Sequence, residues 1–155
     1  MSNFYQKLCD AIGAASVREQ EPMSAHTTFR AGGPARYFVT PEGEKELAAE
    51  KAYYILGNGS NLLVSDAGYP GVMILLGSQF TEVVCPEGEP GVYELGAGVL
   101  LSRAAREAQK DGMTGFEFAA GIPGTVGGAA VMNAGAYGGE LKDVLESVRV
   151  MTPDG

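Results

Sequence analysis

Two glycine-rich segments set the terms for any fold of this chain. Gly57-Asn58-Gly59-Ser60-Asn61 lies between the apolar runs Tyr53–Leu56 and Leu62–Val64. A longer stretch, Ala119 to Glu140, places glycines at 121, 124, 127 and 128 and then runs Asn133-Ala134-Gly135-Ala136-Tyr137-Gly138. Glycine lets a backbone approach a ligand closely and take positive φ, so successive N–H groups can converge on one phosphate. Two such segments in one small chain point to a dinucleotide gripped from both sides. Glycine totals 23 of 155 residues, roughly twice its usual share of about 7%. The excess falls between apolar segments rather than in a low-complexity run, which marks it as a set of local backbone requirements.

The two segments differ in how much they say. Strand, glycine loop and strand is not the dinucleotide fingerprint of the doubly wound fold, which needs G-x-G-x-x-G leading into a helix. No Gly-Lys-Ser/Thr follows, so it is not a P-loop either. The amides of Gly57–Asn61, with the Ser60 hydroxyl and Asn61 amide, can still cradle a pyrophosphate without a lysine. A tight turn with no ligand is the competing reading. The longer stretch leaves a groove of small residues into which a flat, extended ligand fits; close packing of a helix on a sheet is its alternative.

Other function classes are narrowed by composition. The formal net charge is −8, and the 11 Lys and Arg form no basic patch, which argues against a nucleic-acid partner. No run reaches the roughly 18 apolar residues of a membrane-spanning helix, and the N-terminus does not read as a signal peptide. Cys9 and Cys85 make no metal-binding spacing, so two incidental thiols, no metal and a cytoplasmic setting are expected.

Along the chain, Phe4, Leu8 and Ile12, with Tyr5 and Cys9 beside them, predict an amphipathic helix stopped by Gly13. Residues 14–28 read as polar and irregular, and Arg36–Val39 as a strand. Thr40-Pro41-Glu42 opens a helix with a Thr cap and Pro at its first position. Residues 40–52 then return to a strand at Tyr53–Leu56 with no stop signal, which suggests a segment missing near Glu50-Lys51. Further strands are predicted at Leu62–Val64, Val72–Leu76, Thr81–Cys85, Val92–Leu95 and Val144–Met151. A helix capped by Ser102 runs to Asp111, with Leu101, Ala105 and Ala108 on one face. The closing Pro153-Asp154-Gly155 is a turn signal without a returning strand, from which the molecule is expected to continue. These elements describe an α+β fold of mixed sheets with flanking helices. Subdomains are expected at 1–56 and at 57–155.

The motifs in order resemble a known family. His26-Thr27-Thr28-Phe29-Arg30-Ala31-Gly32-Gly33-Pro34-Ala35, Gly57-Asn58-Gly59-Ser60-Asn61-Leu62, Gly115-Phe116-Glu117-Phe118 through Gly128, and Asn133-Ala134-Gly135-Ala136-Tyr137-Gly138 are similar to the UDP-N-acetylenolpyruvoylglucosamine reductases, over about the first half of those enzymes. The resemblance implies an FAD-binding domain of the vanillyl-alcohol-oxidase type. It implies an enzyme of peptidoglycan precursor synthesis in which NADPH reduces the flavin and hydride passes to the enolpyruvyl double bond of a UDP-sugar, giving UDP-N-acetylmuramate. Carried onto this sequence, Gly57, Asn58, Gly59, Ser60, Asn61 and Leu62 would hold the FAD pyrophosphate. Gly121, Ile122, Pro123, Gly124, Thr125, Gly127 and Gly128, followed by Asn133, Ala134, Gly135 and Ala136, would line the rest of the cofactor. Tyr137 would approach flavin or substrate. The family's catalytic Ser, Arg and Glu fall on no residue of 1–155, so the chain is expected to carry the cofactor site without the catalytic one. Another flavin oxidase of the same fold, or a flavin-binding module without turnover, are the alternatives.

Four other residues invite chemistry. His26, the sole histidine, belongs to no triad or metal cluster and reads as structural. Arg30 reaches either the cofactor or a salt bridge. Glu117 and Glu140 would need raised pKa values to act as acids.

Overall fold

A computed structural model describes residues 3–43 and 53–152. The chain divides into two compact units, Met1–Gly77 with Met151–Gly155, and Ser78–Val150. The division falls at Gly77, not at Leu56, because the segment after Leu56 completes the first sheet and fills its core.

In the first unit, helix α1 (Asn3–Ile12) precedes strands β1 (Val17–Pro22), β2 (Pro34–Val39), β3 (Tyr53–Leu56) and β4 (Tyr69–Leu75). They form one sheet in the order β1-β2-β4-β3. β1 runs antiparallel to β2, while β4 runs parallel to both β2 and β3. Alternation along a strand sends successive side chains to opposite faces. Tyr37, Val39, Val72 and Ile74 accordingly join Val17 on one face, where Phe4, Tyr5, Leu8, Cys9 and Ile12 of α1 cover them. Phe38, Met73 and Leu56 turn to the other face and pack with Met23, Ala35 and Val64. Ala35 and Tyr37 would share a face by strict alternation, but the register shifts between them. A bulge of this kind moves Ala35 to the opposite core.

In the second unit, β5 (Val83–Val84) pairs antiparallel with β6 (Glu94–Leu95). Helices α2 (Leu101–Lys110) and α3 (Val126–Met132) follow, then the hairpin β7 (Gly135–Ala136) and β8 (Gly139–Glu140). Leu101, Phe118, Ala119, Ala129 and Leu141 make its core. The Tyr93 hydroxyl donates to Asp111 Oδ2 at 2.6 Å at the end of α2, which pushes the phenol up to about 12.

Several expectations are corrected. Residues 17–22 form β1, which was hidden because Val17 alone is buried in a strand of charged and polar residues. It lies at the edge of the sheet order, where such residues serve. Leu62–Val64 is not a strand. Val64 is buried and Leu62 half-buried in the core, but the backbone runs as a loop whose Ser65 carbonyl accepts from Gly33 N at 2.9 Å. Val144–Met151 makes no ladder either, and Val150 is 74% exposed. Ser102 lies inside α2, since Leu100 is the N-cap and supplies no side-chain bond. The buried face of α2 is Leu101, Ala104 and Ala108. The helix opened by Thr40-Pro41-Glu42 and the gap near Glu50-Lys51 lie mainly outside the described residues.

Ile74, 2% exposed, and Ile55, 44% exposed, share one register line of the sheet. Ile74→Ala is expected to lower stability by about 2–5 kcal/mol. Ile55→Ala should cost much less, as read by urea unfolding of the two variants.

Candidate functional site

The loop Gly57–Asn61 leaves the C-terminal end of β3 and is seated against the His26–Thr28 segment. At Gly59 φ is 62°, and a Cβ there would meet the His26 carbonyl oxygen at 2.0 Å and Thr27 Cα at 3.0 Å. Thr28 N–H donates to the Gly59 carbonyl at 3.1 Å. This glycine is therefore required by the close approach of two main chains. Gly33 has the same basis, since a Cβ would meet the Asp66 carbonyl oxygen at 2.2 Å.

Between these segments opens a cleft of about 260 Å³, lined by Ala25, His26, Thr27, Thr28, Leu56, Gly57, Asn58 and Leu75. Pockets for whole small ligands run from about 300 to 1,000 Å³, so this cleft suits part of a dinucleotide, such as a pyrophosphate. Gly57 and Asn58 line it. Gly59 seats the loop instead, and Ser60, Asn61 and Leu62 are not in the lining.

His26 is built into the wall. Its Nε2 lies 2.8 Å from Glu21 Oε1, and its ring stacks on Phe38 at 4.1 Å between centroids. Arg18 Nη1 donates to the same carboxylate oxygen at 3.0 Å. The hydrogen bond from His26, with that from Arg18, holds the Glu21 carboxyl below its ordinary value against the opposing effect of burial. The structural reading of His26 thus has partners that the sequence did not reveal. Arg30, with φ 52°, sits at a backbone turn whose N–H donates to the Thr27 carbonyl.

In the second unit the glycine-rich stretch is committed largely to itself. Val126 N–H donates to the Val99 carbonyl and Gly127 N–H to the Ala97 carbonyl, both at 2.8 Å. Gly128 N–H donates to Thr125 Oγ1 at 3.4 Å. These are the first amides of α3, and a helix start must satisfy them somewhere. The Gly127 and Gly128 amides, expected among the residues that line the cofactor, are thus engaged within the chain. Gly127 is also needed for packing, since a Cβ would meet Ala97 Cβ at 2.8 Å. Gly121 is different: it is exposed and a Cβ would meet nothing within 4 Å. Gly124 has comparable room, with its nearest neighbours at 3.8 Å. Ile122 is half-buried against the core, and Pro123 is exposed.

Asn133 is a structural cap. It takes the left-handed conformation (φ 45°, ψ 52°) at the end of α3, a place where Asn is tolerated. Its Nδ2 donates to Glu140 Oε2 and its Oδ1 accepts from Lys142 N–H, each at 3.0 Å. Glu140 also pairs with Lys142 and forms a reciprocal cap with Asp143. Glu117 Oε2 accepts from Gly115 N–H at 2.8 Å. Both glutamates are thus held in local structure. Ala134 packs against the core, Gly135 and Ala136 form β7, and Tyr137 is 100% exposed at the hairpin tip. With φ of 53° at Tyr137 and 88° at Gly138, both turn residues have the positive φ of a tight hairpin turn.

Among the described residues, no three His, Cys, Asp or Glu come together as metal ligands, and no helix is long and apolar enough to cross a membrane.

A mixed sheet with a flanking helix carries a cleft lined, among the described residues, by no Lys, Arg, Asp or Glu. The chain belongs to the FAD-binding domain family, whose pattern matches residues 36–155. It is 40% identical over 98% of its length to a UDP-N-acetylenolpyruvoylglucosamine reductase from Agathobacter rectalis, covering 54% of that protein. It is 46% identical over 94% of its length to the reductase from Caldanaerobacter subterraneus, covering 49%. The crystal structure of the Thermus caldophilus reductase superposes with a TM-score of 0.71 at 42% identity, over 82% of this chain and 46% of that one. The chain spans about half the length of the relatives it matches.

Two outcomes test this account. Overpacking at Gly127→Ala should cost about 1–3 kcal/mol, against which alanine's better helix propensity returns at most about 1. Gly121→Ala should stay within about 1 kcal/mol of wild type; denaturation midpoints decide both. For Glu21, a lowered folded pKa stabilises above its ordinary value of 4.5, and the benefit disappears as pH falls through the lower folded value. The stability difference between wild type and Glu21→Gln should therefore shrink as the pH falls below 4.5 and through the lower folded value.

Proposed function

We propose that this chain binds FAD and supplies the cofactor-holding part of an NADPH-dependent UDP-N-acetylenolpyruvoylglucosamine reductase acting in peptidoglycan precursor synthesis in the cytoplasm. The observation that carries the reading is the 40% identity over 98% of the chain to a reductase of that name. The cleft at the end of β3 supports it, since Gly57, Asn58 and His26–Thr28 are among its lining residues.

In this reading Gly57 and Asn58 hold the FAD pyrophosphate, with Gly59 fixing the loop and Ser60, Asn61 and Leu62 completing it. Gly121, Ile122, Pro123, Gly124 and Thr125 line a further part of the cofactor. Gly127, Gly128 and Asn133 shape that part through the start and end of α3 rather than by donating to the ligand. Ala134, Gly135 and Ala136 follow, with Tyr137 presented toward flavin or substrate. The bound flavin would supply hydride transfer from NADPH to the enolpyruvyl carbon of a UDP-sugar. The residues of this chain bind and orient; the proton donor belongs to the reductase half that this chain does not span.

The purified chain should show a flavin absorbance spectrum and release FAD on denaturation. A protein that stays colourless with added FAD would overturn binding by this chain. NADPH oxidation with the enolpyruvyl substrate is expected to be absent for these 155 residues alone. Gly121→Ala should weaken FAD binding while leaving the denaturation midpoint in place.

A further inference from the structure

Glu21, His26 and Phe38 form a cluster to which the cofactor reading assigns no role. The His26 and Glu21 side chains are only 16% and 19% exposed, and their contact is 2.8 Å. The imidazole lies face to face with Phe38, 24° from parallel, and Phe38 is itself 1% exposed. The ring is thus fixed at its tip by a carboxylate from β1 and along its face by a buried ring from β2. A side chain held in this way restricts its own main chain. That main chain is the surface on which the Gly57 loop rests: the His26 carbonyl crowds Gly59, and the Thr28 amide bonds the Gly59 carbonyl at 3.1 Å.

We propose that Glu21 and His26 are positioning residues, a brace that seats the Gly57–Asn58 wall of the cleft through residues 26–28. The inference rests on the reading that this cleft takes the cofactor's pyrophosphate. His26 contributes through the geometry of its backbone, Glu21 through the orientation of the imidazole, and Arg18 through the same carboxylate oxygen. His26→Ala and Glu21→Ala would release the ring or its anchor. Glu21→Gln keeps an acceptor for Nε2 and should keep most of the brace.

The test uses the 155-residue chain, with FAD titration by flavin fluorescence and amide hydrogen exchange without ligand. His26→Ala and Glu21→Ala should each weaken FAD binding by about tenfold or more, and the double variant should be no worse than either alone. Amide exchange should accelerate at Thr28 and across residues 57–61, while Met73 and Ile74 of β4 keep their protection. Wild-type affinity in the single variants, unchanged exchange at Thr28, or acceleration spread equally into β4 would each overturn the brace. If the wild-type chain binds no FAD, the cofactor reading fails for this chain. The exchange pattern then still decides whether the pair seats the loop.

Discussion

The cleft depends on one close approach, that of the Gly59 main chain to the main chain of His26 and Thr27. A side chain at 59 would overlap the His26 carbonyl at 2.0 Å, so the contact exists only because glycine is there. It brings the loop after β3 against the segment joining β1 to β2, two stretches separated in sequence but adjacent in space. β4 makes this possible by lying between β2 and β3 and pairing in parallel with both. The Leu56 and Val64 side chains on either side of the loop enter one core with Phe38 and Met73. Packing of that core and the glycine contact therefore reinforce each other.

Glycine does different work at different positions, and that limits what a glycine count can say. Gly59 and Gly33 allow main chains to touch, and Gly127 lets α3 start against Ala97. Gly121 has no such internal reason, because nothing lies within 4 Å of where its Cβ would be. A ligand requirement is best sought where the protein itself makes no demand. By that criterion the longer stretch divides: Gly121 and Gly124 leave room where a side chain would stand, while Val126–Met132 build a helix and residues 135–140 a hairpin.

Much of the fold was legible wherever burial imposed a period on the sequence. Helix α1 followed from Phe4, Leu8 and Ile12, and β2 and β4 from apolar runs that present a face to a core. β3, with only Leu56 buried, followed from its aromatic and β-branched composition. β1 was not legible, since an edge strand with one buried residue carries almost no alternation. Leu62–Val64 misled for the opposite reason: Leu62 and Val64 pack in the core, but the backbone pairs with no strand. The Gly57 loop was recognisable from its composition as a tight glycine turn, while the approach to His26 that seats it was not. The His26 side of the cleft was legible as a motif but not as a wall, because Glu21 and Phe38 reach it only through the sheet. Asn133 carried a polar signal that suits a ligand equally well; its left-handed cap and paired amide are facts of the folded chain.

In the proposed reading, a chain with a formal charge of −8 would have to host a doubly charged pyrophosphate. Among the described residues no Lys or Arg lines the cleft, and Arg18, beside it, is engaged by Glu21. Attraction in that reading would come from oriented backbone dipoles, which act at hydrogen-bond range. The repulsive field of the surface carboxylates is screened over about 8 Å at physiological ionic strength. Short-range donors in a fixed wall can thus outweigh a diffuse unfavourable charge, provided the wall does not move. In the proposed reading, rigid seating of the Gly57–Asn58 backbone, not local positive charge, would hold the anion.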